Sequence, residues 1–169
     1  MFVLSEQLHA ACEPGEPFRK YAEYLEINRS RFPVSAYSLA ASGLLLDASD
    51  PSCPHDGWLE WARLEEPSSG ERQEHRTLSL RVRLLGAYHD RHIELFYPLV
   101  YSYSMSAVHS SDGHGDWRYS EIRLNDSGNV VHEIEWAGPP GREARWRIEA
   151  SDVQLKSIPR EKHKPSRTK

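Results

Sequence analysis

The chain has little sulfur and no long apolar stretch. Cys12 and Cys53 are its only cysteines in 169 residues, too few for a disulfide framework. Two free thiols in a reducing compartment are expected. No run of about 18 apolar residues occurs, so no sequence segment reads as a membrane-spanning helix. The opening Met1-Phe-Val-Leu-Ser-Glu6 has an early acid and no basic stretch. A cleaved secretory leader is therefore not expected, and a cytoplasmic location is. Catalytic signatures are also missing: there is no Gly-x-Ser-x-Gly elbow, phosphate-binding loop or dinucleotide fingerprint. Serine-elbow hydrolases, P-loop enzymes and nicotinamide dehydrogenases thus have no sequence support. No cofactor is expected.

What the chain does have is a two-residue rhythm. Leu78, Leu80, Val82 and Leu84 alternate with Thr77, Ser79, Arg81 and Arg83. A period of two puts one set on a buried face and the other in water, as in a strand. The rhythm returns at Ile93, Leu95, Tyr97, at Tyr101, Tyr103, Met105, and at His132, Ile134, Trp136. Strands are expected over Trp58–Leu64, Thr77–Leu85, Arg91–Tyr97, Val100–Ala107, Trp117–Leu124, Val130–Trp136 and Arg145–Glu149, with a continuation over Val153–Ile158. Pro98 lacks a ladder donor and marks an edge or bulge. In Trp117–Leu124 the apolar phase slips from odd to even positions, which predicts a bulge near Ser120-Glu121. Asp126-Ser-Gly128 reads as a tight hairpin turn.

The N-terminal third has a different period. Phe2 to Ala11 is a short apolar segment, a helix or a first strand, stopped by Glu13-Pro-Gly-Glu-Pro17. Phe18, Tyr21 and Leu25 then recur at i, i+3 and i+7, one face of a helix starting near Pro17. Arg31-Phe-Pro33 ends it. A second helix is expected over Ser35–Ala41, with Gly43 closing its C-terminus. Helices first and strands afterwards give α+β. The expectation is one domain over residues 1–158, with N-terminal helices packed on a curved antiparallel sheet of six to eight meandering strands, a half-barrel or sandwich.

Charge is unevenly placed along the chain. From Lys156 onward six basic residues accompany one acid, Glu161. Removing them from the total of 21 basic and 25 acidic residues leaves 15 and 24, a net charge of −9. An acidic body disfavours nucleic acid and favours a basic protein partner. Plain solubility is the other explanation. Residues 159–169 form a basic tail with little to pack, expected to be disordered.

Nine histidines raise the question of a metal. His89 and His92 are three apart in a turn, and His109, Asp112 and His114 share a glycine-rich loop. These five are the candidate ligands for a metal-binding domain or metal-dependent enzyme. Their spacing supplies neither the paired dyads of a zinc site nor the oxygen series of a calcium loop, and ordinary polar loop chemistry also accounts for them. His55-Asp56 holds an imidazole beside a carboxylate, suited to orienting a general base or to ordering a loop. His132 shares the inner phase with Ile134 and is expected to be a semi-buried structural histidine. Strand aromatics pack by default. On a regular strand, however, Trp58 and Trp61 lie on opposite faces, so at least one is exposed or covered by a helix. Trp58, Trp61, Tyr101, Tyr103 and Trp117 are the tentative partner contacts.

The order of short motifs also bears on function. Tyr21-x-x-Tyr24, Arg31-Phe-Pro33, His55-Asp56, Trp58-Leu59, Leu84-Leu85-Gly-Ala-Tyr88 and Ile93-Glu-Leu-Phe-Tyr97 follow one another over residues 18–107. In this the chain resembles small uncharacterised bacterial α+β proteins, some of which are similar to immunity proteins of polymorphic toxin systems. That resemblance implies a cytoplasmic, non-enzymatic protein-binding domain that neutralises a cognate toxin, with no catalytic residues. A basic toxin domain would suit the acidic body.

Overall fold

The structure is a computed structural model that describes residues 1–4, 6–107, 113–139 and 143–160. Of the tail expected over 159–169, Pro159 ends a strand and the Arg160 N–H donates to the Asp90 carbonyl at 2.8 Å, while residues 161–169 lie outside the described ones. Three helices precede the strands: α1 (Glu6–Ala11), α2 (Glu16–Asn28) and α3 (Val34–Ala41). Gly15 precedes α2 with φ 85°, a left-handed conformation that costs glycine little, and Pro17 occupies its first turn. Gly43, at φ 75°, follows α3 as expected. Asp152 Oδ1 accepts the backbone N–H of Ala36 at 2.9 Å, so a residue far along the chain caps α3.

The strands are β1 (Trp58–Glu65), β2 (Ser68–Ser69), β3 (His75–Arg76), β4 (Ser79–Leu85), β5 (Arg91–Tyr97), β6 (Val100–Ser104), β7 (Asp116–Leu124), β8 (Val130–Ala137), β9 (Glu143–Ala150) and β10 (Gln154–Pro159). β2 and β3 form a separate two-stranded ribbon. The other eight make one antiparallel sheet in the order β10-β5-β4-β1-β7-β8-β9-β6, which is not closed into a barrel. The fold is therefore α+β. The chain passes from β5 to β6 across Pro98-Leu99, and from β9 to β10 across 151–153. Those two segments pair on both sides of the break, β5 with β10 and β6 with β9.

The sheet thus consists of two four-stranded halves, joined between β1 and β7 by the single pair Trp58↔Asp116. Their inner faces share one core. Leu80, Val82, Leu84, Ile93, Leu95 and Tyr97 from one half join Trp117, Ile122, Ile134, Trp136, Trp146 and Ile148 from the other. Tyr97 on β5 and His132 on β8 share a hydrogen bond of 2.8 Å across it. His132 is fully buried, deeper than its expected semi-buried position.

α2 closes the gap that β1 leaves beside β7. Tyr21 and Leu25 are buried as the helical stripe predicts, while Phe18 is only half buried. Each large buried side chain stabilises the docked helix by about 1.5–3 kcal/mol. The Tyr21 hydroxyl also donates to the Ile122 carbonyl at 2.9 Å and accepts the Ile122 N–H at 2.8 Å. Tyr24 accepts the N–H of Leu124 at 2.9 Å. Tyrosine hydroxyls here do the work of a missing strand, since an unpaired buried backbone group is costly.

Three strands break register, β7, β1 and β6, the last between Val100 and Ser102. In β7, Trp117 pairs with Trp136 and Tyr119 with Glu135, so the bulge is at Arg118 and not at Ser120-Glu121. Past it, Ser120, Ile122 and Leu124 face inward. Glu121 faces the other way, yet is fully buried. Its carboxylate accepts the N–H groups of Phe2 at 2.8 Å and Leu4 at 3.2 Å and pairs with Arg123 at 2.6 Å. In β1, Trp58 pairs with Leu85 and Trp61 with Arg83, two partners on one face of β4. A bulge at Glu60 therefore puts both tryptophans on the same outer face, not on opposite faces.

Candidate functional site

The structure divides the five tentative partner contacts among three environments. Trp117 is fully buried, edge-to-face with Trp136 with ring centroids 5.4 Å apart. It is a core residue and not a contact, because the β7 bulge turns it inward. Trp58, half exposed, and Trp61 lie on the outer face of β10-β5-β4-β1. Tyr101 and Tyr103, 50% and 46% exposed, stand on β6 at the end of the sheet.

The outer face is built by strand register. One row across it reads Trp58, Leu85, His92, Ile158; the next, Trp61, Arg83, Glu94, Lys156; the third, Arg63, Arg81, Phe96, Gln154. Glu60, in the bulge, pairs with Arg83 at 3.1 Å and with His92 Nδ1 at 2.9 Å. The Arg63 guanidinium sits 4.3 Å over the Trp61 ring and that of Arg81 4.0 Å over Phe96. Arg63, Arg81, Phe96 and Lys156 stand on this same face, which the sequence pattern alone did not group. The alternation in Thr77–Leu85 already put Arg81 on the wet side, and Phe96 is out of phase with Leu95 and Tyr97.

β6 and β10 are the two edges of the sheet, and they differ. β10 carries Lys156 and Pro159, and α3 packs beside it, all devices that blunt an edge. β6 reads Val-Tyr-Ser-Tyr-Ser, with no charge and no proline. Among the described residues its outer side is met only at Val100, whose N–H donates to the Leu78 carbonyl at 2.7 Å. Tyr101 to Ser104 are exposed beyond that point.

The histidines are scattered among separate neighbours. His89 has φ 56°, and its ring packs edge-on against Trp58, centroids 4.6 Å apart. His92 pairs with Glu60. His114 packs against Trp136 and Trp146, and burial there lowers its pKa. His109 and Asp112 lie outside the described residues. Among the described residues no group of three histidine, cysteine or acidic side chains is arranged to hold a metal.

His55 Nδ1 lies 3.2 Å from Asp56 Oδ1. The same turn ties β1 to β7, with Asp56 N–H donating to the Trp117 carbonyl at 2.8 Å. Asp56 holds φ 57° to do so. A 360 Å³ cleft lies between the N-terminal segment and β7–β8, lined by Leu4, Phe18, Arg118, Tyr119 and Glu135. Its buried carboxylate, Glu135, is held by Arg118 at 3.5 Å and Arg145 at 2.9 Å.

Among the described residues, no helix is long and apolar enough to cross a membrane. No family model, curated protein or solved structure matches this chain.

Proposed function

We propose that the chain is a non-enzymatic protein-binding domain that takes an extended segment of a partner as an added strand along β6. The observation that carries this is the contrast between the two edges. β10 is charged, proline-ended and flanked by a helix, while β6, bulged at Tyr101, is uncharged, and among the described residues its backbone past Val100 is uncovered between two exposed tyrosines. Strand addition draws affinity from main-chain hydrogen bonds and specificity from alternate side chains. Tyr101 and Tyr103 are the anchors in this reading. Neutralising a cognate bacterial toxin is the biological setting we propose. The resemblance noted above supports it, and the acidic excess over residues 1–155 suits a basic toxin surface.

Affinity capture from the native host at low salt, followed by hydrogen exchange on the complex, tests the reading. Protection should appear over residues 100–104, and Tyr103→Lys should weaken the complex at least tenfold by placing charge on the edge. A protein that stays alone, or a complex that protects other segments and leaves 100–104 unchanged, refutes it.

A further inference from the structure

The geometry points to a second binding surface, independent of β6: the outer face of β10-β5-β4-β1, which fits single-stranded nucleic acid. Its three rows hold four basic side chains, Arg63, Arg81, Arg83 and Lys156, against Glu94 and the bulged Glu60. Glu60 is shared between Arg83 at 3.1 Å and His92 at 2.9 Å, and Glu94 lies 3.8 Å from Arg83. Among the described residues Arg63 and Arg81 have no ion pair; each lies over a ring. A guanidinium stacked on a ring still presents its opposite face to a base and its N–H edge to a phosphate. Between them, Trp61, Arg81, Glu94, Phe96 and Lys156 border a 180 Å³ notch open to solvent. Trp58, half exposed, supplies a third aromatic surface at the end of the face.

The next basic residue extends this field. Arg160 follows β10, with its N–H donating to the Asp90 carbonyl at 2.8 Å and its guanidinium to the His89 carbonyl at 3.0 Å. His89 packs edge-on against Trp58, so the chain leaves β10 beside the aromatic end of the face.

The chain's net charge of −4 argues against an anionic ligand only over distances that salt does not screen. At physiological ionic strength charges act over about 8 Å, so a ligand on this face meets local arginines. Aromatic rings on an open antiparallel sheet need unstacked bases, which selects single strands over duplex. An acidic polypeptide would use the cations but bring no planar group to Trp58 or to the stacked arginines.

Fluorescence anisotropy of labelled oligo-dT and oligo-rU with the full chain tests this. Binding is expected at low salt and should weaken steeply as salt rises. Arg81→Glu and Trp58→Ala, both outward-facing, should each weaken it about tenfold with unfolding midpoints nearly unchanged. No binding at low salt overturns the proposal. So does equal affinity for poly-glutamate or for duplex DNA. Binding untouched by both substitutions and lost only on truncation after Arg160 assigns it to the tail, and also overturns it.

Discussion

Lowering the pH from 7 to 5 puts a proton on a histidine in the unfolded chain, but not on His132 in the folded sheet. Its ring is fully buried, between Tyr97 at 6.0 Å and Trp117 at 5.8 Å, centroid to centroid. Burial pushes its pKa down to about 3, against about 6.5 in an unfolded chain. Unfolding therefore takes up a proton anywhere between those values, and stability falls as pH falls through that window. Each pH unit below 6.5 costs about 1.4 kcal/mol. By pH 5 the loss relative to pH 7 is about 2 kcal/mol, a large part of a domain's usual margin. The test compares the wild type with a Tyr97→Phe/His132→Phe variant, which removes the imidazole and the hydroxyl that would lose its partner. Urea unfolding followed by tryptophan fluorescence at pH 7, 6 and 5 gives both curves. Carboxylates common to the two proteins cancel in the difference. The variant starts with whatever fixed cost its packing imposes, then gains about 2 kcal/mol on the wild type by pH 5. A difference that stays constant with pH refutes the reasoning. Should the variant not fold, the His132 ring proton shift in the wild type decides: it should not move between pH 8 and 4.5, and a midpoint near 6 refutes a buried, neutral imidazole.

Tyr21→Phe removes the hydroxyl that serves both backbone groups of Ile122. It should cost about 1–3 kcal/mol in chemical denaturation, more than loss of an exposed hydroxyl. Asp152→Ala uncaps α3 across the fold and should cost about 1 kcal/mol, with Asp152→Asn recovering most of it. Trp117→Ala should destabilise by about 3–5 kcal/mol. Trp58→Ala should cost several-fold less by the same unfolding assay, because half of Trp58 already faces water.

Much of the architecture was legible in local pattern. The alternation over Leu78 to Leu84 and Ile93 to Tyr97 identified β4 and β5 to within two residues, and Phe18, Tyr21 and Leu25 identified α2. These signals need only neighbouring residues, since a strand or helix shows its period in its own sequence. The bulges were not legible to the same degree. A phase slip in β7 was visible, but it was assigned to polar Ser120-Glu121 when the extra residue is Arg118. Which residue is squeezed out depends on the partner strand, not on polarity. The candidate surface was harder still. A period-two reading separates Trp58 from Trp61, and only pairing with β4 shows that they stand together.

Residue order alone thus determined the class of the fold, the two periods, most element boundaries and the sign of the charge in each stretch. Tertiary structure decided that Glu121 is buried under the backbone of Phe2 and Leu4, that helical tyrosines seal the open side of β7, and that among the described residues β6 is left uncovered past Val100 while β10 is guarded. It also gathered arginines from β1 and β4, a lysine from β10 and an aromatic from β5 onto one face of an acidic chain. The physical reason is that periodicity depends on neighbours a few bonds away, whereas edges, bulges and faces depend on which strand lies alongside, and that is settled by contacts up to about 120 residues apart.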